Sequence, residues 1–297
     1  MLMLLNKIYE TGHTRFLSHQ TERINTLVKK RDAYYDVLLI GSSRMHVHYN
    51  PLIIDSVTHL SSYNFGVEGG NLLETNLWLQ VYLQLHRKPK AIVLDMAPFA
   101  FDIERRPLFN PTIYYPYLQN DIIYNTVSIY KNISLYKYVP FLELMEVDDY
   151  NKSIAIEGLF GKKEVQATHF TYNGFAENGS NVLKADSDIV YNKVLYQITA
   201  SGKILFNTII DSCRKKNIKL IISYSPEYYK TDFTKRGDFF DYINQVCINN
   251  NLPFIDYRGS SISRDSTLFA EPTHLNKYGA KIFSKDVAGK IMYELNR

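Results

Sequence analysis

The chain predicts an α/β protein built on a parallel sheet, and three observations carry that expectation. Five short runs rich in Val, Ile, Leu or Phe have the composition of strands covered on both faces. Segments with helical periodicity lie between them, and strands alternating with helices imply right-handed crossovers and parallel pairing. The length, 297 residues, suits a single α/β domain carrying an insertion.

The five expected strands are Asp36–Ile40, Ser62–Phe65, Ala91–Asp95, Lys219–Tyr224 and Pro253–Asp256. Asn71–His86 follows Gly69-Gly70 and spaces Leu72, Leu73, Leu77, Leu79, Val81, Tyr82 and Leu85 as a helix would. Val194–Lys216 is a long periodic segment whose last residues, Arg214, Lys215 and Lys216, complement a helix dipole. Phe239–Asn250 and Lys277–Leu295 complete the expected helices.

Residues 1–32 read as an N-terminal helix of mixed charge that packs on the sheet or tethers the domain. The segment from about 101 to 188 interrupts the rhythm between the third and fourth strands. It holds Pro107, Pro111, Pro116 and Pro140, many tyrosines, and an Asn/Gly run through Asn173-Gly174, Asn178-Gly179 and Asn181. An insertion at the carboxyl edge of a parallel sheet commonly shapes a ligand site. The 24 tyrosines suit stacking on sugars, but a compositional habit accounts for them more simply.

The formal charge of +4 is small and dispersed, which argues against a nucleic-acid binder. Cys213 and Cys247 are too few and too far apart for a disulfide framework or a zinc site, so both are expected as reduced packing residues. The apolar start Met1–Leu5 is too short for a signal peptide or a membrane span, and no later run is long enough to cross a bilayer. These readings predict a soluble chain, cytoplasmic unless an anchor lies upstream of it, and leave its oligomeric state open.

Two motifs at opposite ends carry the chemistry. In Asp36-Val37-Leu38-Leu39-Ile40-Gly41-Ser42-Ser43-Arg44 a strand stops at a Gly-Ser-Ser turn and opens a helix. That places serines at the carboxyl edge of the sheet, where open α/β sheets bind ligands. Serines also cap helices, and on the tetrapeptide alone that simpler role is the favoured one. In Glu271-Pro272-Thr273-His274-Leu275-Asn276 a carboxylate precedes a histidine by three residues. Together the motifs supply a serine, a base and an acid to orient the base, the set used in nucleophilic acyl transfer. Between them, Gly66 follows the second strand and can offer an unobstructed N–H to an oxyanion, or simply serve an ordinary strand-to-helix loop. Arg44 is suited to a substrate carboxylate or phosphate, or to pairing with Asp95 as scaffold. His46 and His48 make an H-x-H pattern without a third ligand, so no metal site is expected. Ser225-Pro226-Glu227-Tyr228 follows the fourth strand and is placed to rim the site.

At these residues the chain resembles the SGNH (GDSL-like) hydrolase superfamily, in the branch that writes its first block Gly-Ser-Ser-Arg and ends in His-Leu-Asn. The resemblance spans most of the chain apart from the N-terminal helix and the insertion. It implies a flavodoxin-like three-layer α/β/α sandwich with strand order 2-1-3-4-5. It implies Ser43 as nucleophile, His274 and Glu271 as its base and acid, and the N–H groups of Ser43 and Gly66 as the oxyanion hole, with no cofactor. The implied activity is that of a serine esterase or O-acyltransferase working through an acyl-Ser43 intermediate on a small-molecule or glycan ester, and the Tyr-rich insertion favours acylated, above all acetylated, carbohydrate. Two positions depart from the family. Glu271 stands where the family has Asp. The third block, Gly-x-Asn-Asp in the family, is here Asp95-Met96-Ala97-Pro98, without the asparagine that donates to the oxyanion. Asn64 and Asn71 are the candidate replacements, and with Arg44, His46 and Asp95 they form the candidate substrate-binding set. A lipid or thioester hydrolase fits less well, because the insertion alternates polar and aromatic residues. The departures also suit a degenerate member acting as a glycan-binding or assembly component.

Overall fold

The computed structural model describes residues 2–15, 19–97, 99–105, 107–130, 149–161, 171–184, 197–231 and 236–297, with single positions between 131 and 148. Pro98, residues 1 and 16–18 of the expected N-terminal helix, residues 106, 162–170 and 185–188 and, with Pro140, several positions between 131 and 148 of the expected insertion, and 194–196 of the expected helix at 194–216 lie outside the described residues.

A five-stranded parallel sheet organises the larger part of the chain. Its strands are β1 (Val37–Gly41), β2 (Ser62–Gly66), β3 (Ala91–Asp95), β6 (Lys219–Tyr224) and β7 (Phe254–Asp256). Two short hairpins, β4 (Thr171–Tyr172) with β5 (Phe175–Ala176) and β8 (Phe269–Glu271) with β9 (His274–Leu275), account for the other labels. The sheet order is β2-β1-β3-β6-β7, so the five sheet strands, numbered along the chain, follow the flavodoxin-like order 2-1-3-4-5. The apolar runs become strands because every residue of β1, β2 and β3 is buried. Val37, Leu39, Val93, Ile221 and Ile255 join one core with Ile54, Phe283, Val287 and Ile291 from the helices Pro51–Thr58 and Lys277–Asn296. Strand alternation turns Leu38, Ile40, Ile92 and Leu94 to the opposite face, and these are buried as well, so the sheet is covered on both sides.

The parallel register sets Gly41 beside both Gly66 and Asp95, and Asp95 beside Ser223. The carboxyl ends of four strands therefore finish level. At the other end Asp36 ties three strands together. Its carboxylate accepts from Ser61 N at 3.0 Å, Ser61 Oγ at 2.9 Å and Tyr34 OH at 2.9 Å, and pairs with Lys90 Nζ at 2.9 Å. Partial burial pushes this carboxyl up, but the bonds from Lys90, Ser61 and Tyr34 outweigh it and bring the pKa down to about 2. A carboxyl depressed in the folded state stabilises fully above its unfolded value of about 3.9, and loses that contribution as pH falls towards the folded value. Asp36→Asn is therefore expected to cost about 1.5 kcal/mol at pH 7. In urea titrations the gap between variant and wild type should close between about pH 4 and pH 2; a gap that persists there excludes the carboxylate as its source.

The chain divides into two compact units. One comprises Ala33–Leu79, Arg87–Pro107 and His169–Arg297 and holds the sheet. The other comprises Met1–Asp32, Gln80–His86 and Leu108–Thr168. The expected insertion is thus shared between the units. In the second unit the helix Leu2–Arg15 packs on Asp149–Leu159 at a close approach, since a Cβ on Gly12 would lie 1.9 Å from Ala155 O. The expected single N-terminal helix is present there as two, Leu2–Arg15 and His19–Lys29. Tyr114, Tyr115 and Tyr117 are buried in this unit, as packing residues rather than a stacking platform.

The later expected helices are Leu72–Leu85, Ala200–Lys215, Arg236–Asn250 and Lys277–Asn296. Cys213 and Cys247 are free and buried within two of them, and burial pushes both thiols up to about 12. Among the described residues no helix is long and apolar enough to cross a membrane.

Candidate active site

Gly41 closes β1 with φ 153°, a backbone conformation that side chains rarely adopt, and a Cβ there would lie 2.9 Å from Asp95 O. The chain then turns out of the sheet. Ser42 is the N-cap of the helix Ser43–His48, its Oγ accepting from Arg44 N at 3.4 Å. The two serines thus divide the roles that the sequence left open. Ser42 caps, and Ser43, the first helical residue, directs its Oγ to within 2.8 Å of His274 Nε2.

His274 comes from a tight hairpin rather than a helical turn. Glu271 ends β8, Pro272-Thr273 form the turn, and His274 opens β9 directly opposite Glu271. This pairing lets a three-residue spacing bring carboxylate and imidazole together. His274 Nδ1 bonds Glu271 Oε1, and Thr273 Oγ1 lies 3.1 Å from the same nitrogen. With the ring proton on Nδ1, facing the carboxylate, Nε2 presents a lone pair to the Ser43 hydroxyl. The hydrogen bond from His274, the largest influence, holds the Glu271 carboxyl below its usual range against the opposing push of partial burial. The longer side chain of Glu, in place of Asp, therefore still reaches the ring.

The rest of the motif anchors this hairpin. Leu275 is buried in the core. Asn276 caps the final helix, its Oδ1 accepting from Tyr278 N at 3.0 Å and Gly279 N at 3.1 Å. Its Nδ2 donates to Thr267 O at 2.7 Å, back across the hairpin.

No protein-family model and no curated protein matches the chain. Solved structures are similar to it, and two of them are as follows. One is a protein from Desulfitobacterium hafniense DCB-2 provisionally described as a lipolytic protein of the G-D-S-L family, at 11% identity over 85% of this chain and 97% of that one, with a TM-score of 0.42. The other, from Bacteroides fragilis NCTC 9343, is provisionally described as an acylhydrolase, at 10% identity over 93% of this chain and 95% of that one, with a TM-score of 0.46.

The remaining candidate residues serve the scaffold, and several expectations are corrected. The Gly66 N–H, expected to face an oxyanion, donates to Asn64 Oδ1 at 2.9 Å. Glycine is required at 66 for another reason: a Cβ would sit 2.4 Å from His46 N, where the helix Ser43–His48 crosses β2. Asn64, a candidate donor to substrate, is fully buried and gives its Nδ2 to Met45 O at 2.7 Å and Tyr49 O at 2.8 Å. Asn71 precedes the helix Leu72–Leu85 and accepts from Leu73 N at 2.8 Å, a capping role. His46 is buried with Nδ1 3.3 Å from Glu68 Oε1. Arg44 and Asp95 are both buried and lie 3.9 Å apart, the scaffold alternative rather than a substrate contact. Asp95 accepts from Ser225 N at 2.7 Å, Ser225 Oγ at 3.1 Å and Tyr49 OH at 2.8 Å. Ser225, expected at the rim, is thus in the buried layer beneath the site. Sequence reasoning assigned no part to Thr273, although its place between Glu271 and His274 was a usable signal.

Proposed function

We propose that the protein is a serine-dependent ester hydrolase or O-acyltransferase of SGNH type. The observation that carries this reading is the Ser43 Oγ to His274 Nε2 distance of 2.8 Å, with Glu271 bonded behind the imidazole. In the reaction His274 takes the Ser43 proton as Oγ adds to an ester carbonyl. The Ser43 N–H, at a helix start without an intrahelical acceptor, faces the developing oxyanion. His274 then returns the proton to the departing alcohol, leaving an acyl-Ser43 ester. Water or a second hydroxyl group, deprotonated by His274, releases the acyl group and regenerates the serine. Acetylated carbohydrate is the substrate class we would test first, beside small acyl esters. The described tyrosines Tyr114, Tyr115 and Tyr117 lend it no support, since they are buried.

A second reading, a degenerate relative that binds a glycan or joins an assembly, is favoured by one observation. Gly66 gives its N–H to Asn64, and the third-block asparagine is absent, so two oxyanion donors of the family pattern are missing. Losing one donor typically costs about 100-fold or more in turnover. Fluorophosphonate labelling with peptide mapping separates the readings. A stoichiometric adduct on Ser43, absent in Ser43→Ala, is the result expected of the enzyme. A folded wild-type protein that takes no adduct overturns that reading in favour of the binding role.

A further inference from the structure

We propose that His48 and Asn178 clamp the Leu275 peptide from both sides and so position the His274 imidazole against Ser43. The inference rests on the reading of Ser43, His274 and Glu271 as an acylating site. Leu275 follows the base directly. Its N–H donates to His48 Nε2 at 3.0 Å, and its carbonyl accepts from Asn178 Nδ2 at 3.0 Å. Both backbone polar groups of this one residue, in the two peptide units that flank its Cα, are therefore held by side chains from elsewhere in the chain. The hairpin that carries His274 is a seven-residue excursion, Phe269–Leu275, with only two paired positions, too little to hold a ring to the tolerance that proton transfer demands.

The protonation pattern of His48 follows from its partners. Because Leu275 N–H donates to Nε2, that nitrogen carries no proton, and the ring proton is on Nδ1, 3.0 Å from Ser225 Oγ. Ser225 Oγ also receives Arg44 Nε at 3.1 Å, and its own proton goes to Asp95 Oδ2 at 3.1 Å. Burial, then the Arg44 charge and His274, push the His48 pKa well down, which keeps the acceptor nitrogen free at neutral pH. The backbone of His48 is fixed too, its carbonyl accepting from Ser284 Oγ at 2.9 Å. The His48 ring meets the His274 ring only edge-on, with centroids 5.9 Å apart. It therefore acts through the peptide and touches no reacting atom.

Asn178 gives a role to the Asn/Gly run. That segment starts at the β2 edge, where Asn64 N donates to Asn173 O at 2.8 Å and Asn173 Nδ2 donates to Ser62 O at 3.1 Å. It then follows the catalytic hairpin. Gly179 O accepts from Lys277 N at 2.9 Å, Asn181 O accepts from Asn276 Nδ2 at 3.0 Å, and Leu183 N donates to Phe269 O at 2.8 Å. The strap fastens the open end of the hairpin on both sides, through Phe269 on one strand and through Leu275, Asn276 and Lys277 at the end of the other.

The test compares fluorophosphonate labelling rates at Ser43 in wild type, His48→Asn, His48→Gln and Asn178→Ala. The Asn amide reaches the Nδ1 position and can still meet Ser225, but leaves Leu275 N–H without an acceptor; the Gln amide reaches the Nε2 position. His48→Asn and Asn178→Ala are expected to label about 10- to 100-fold more slowly, and His48→Gln to recover most of the rate. The low-field proton resonance of His274 Nδ1–H, which needs no turnover, should shift in the two slow variants. Asn178 is only half-buried, so its variant carries the test if His48→Asn fails to fold. Wild-type rates and an unshifted resonance in Asn178→Ala overturn the clamp, as does a His48→Gln as slow as His48→Asn. A wild-type protein that takes no adduct overturns the esterase reading instead, and the resonance alone then decides the clamp.

Discussion

His274→Gln is expected to lower ester turnover by about a million-fold while leaving the protein folded, the loss seen when a triad base is removed. The magnitude follows from the geometry. His274 Nε2, 2.8 Å from Ser43 Oγ, is the acceptor that the structure places against the hydroxyl. An amide at position 274 cannot take the proton, so Ser43 would have to attack as a neutral alcohol. Glu271→Gln should cost much less, at least about 100-fold less than removing the base. The Glu271 side chain is 54% exposed, so water can replace part of its bond to the ring. Thr273 Oγ1, 3.1 Å from Nδ1, supplies a second partner that still holds the tautomer. Steady-state kinetics on a small acyl ester, with circular dichroism to establish folding, check the ranking. Equal losses in the two variants would mean that Glu271 does more than orient the ring.

The sheet was legible because its chemistry is local. A strand buried on both faces must be apolar throughout, and Val37–Gly41, Ala91–Asp95 and Lys219–Tyr224 announce themselves in that way. The start of the final helix was equally plain, since Asn276 caps it with its own side chain. The position of Ser43 followed from the glycine that stops β1. What could not be read were side-chain rotamers and bonds between positions far apart in the chain. Nothing near Gly66 reveals that its N–H is spent on Asn64, because the same residue offers an open N–H or a filled one according to a single rotamer. The link from His48 to Leu275 spans 227 residues. The Asn/Gly run was legible only as part of an insertion beside the site, because its partners are backbone groups, which leave no mark on composition.

The Arg of the Gly-Ser-Ser-Arg motif leads to the other large effect. Arg44→Met is expected to destabilise the fold by about 3–5 kcal/mol, the cost of removing one partner from a buried ionic cluster. Arg44 is 1% exposed. Its guanidinium lies 3.9 Å from both Asp95 and Glu227, bonds the Ser225 carbonyl, and stacks 4.3 Å from the Tyr224 ring centroid. Burial pushes both carboxyls up, and the guanidinium opposes that push, so without it they are stranded in the interior. Glu227 keeps Arg236 and the Tyr224 hydroxyl, at 2.6 Å, so Asp95 bears most of the loss. Arg44→Met with Asp95→Asn should therefore cost less than the sum of the single changes, by about 1–3 kcal/mol in urea unfolding. Arg44→Lys should not rescue, because a point charge can neither stack on Tyr224 nor meet Ser225 with two nitrogens. A residue that bound a substrate anion would behave differently. Its loss would raise KM for an anionic ester over that for a neutral one and leave the urea midpoint in place. The expected result is the reverse, a lowered midpoint with the KM ratio unchanged, and a selective rise in KM would return Arg44 to the substrate.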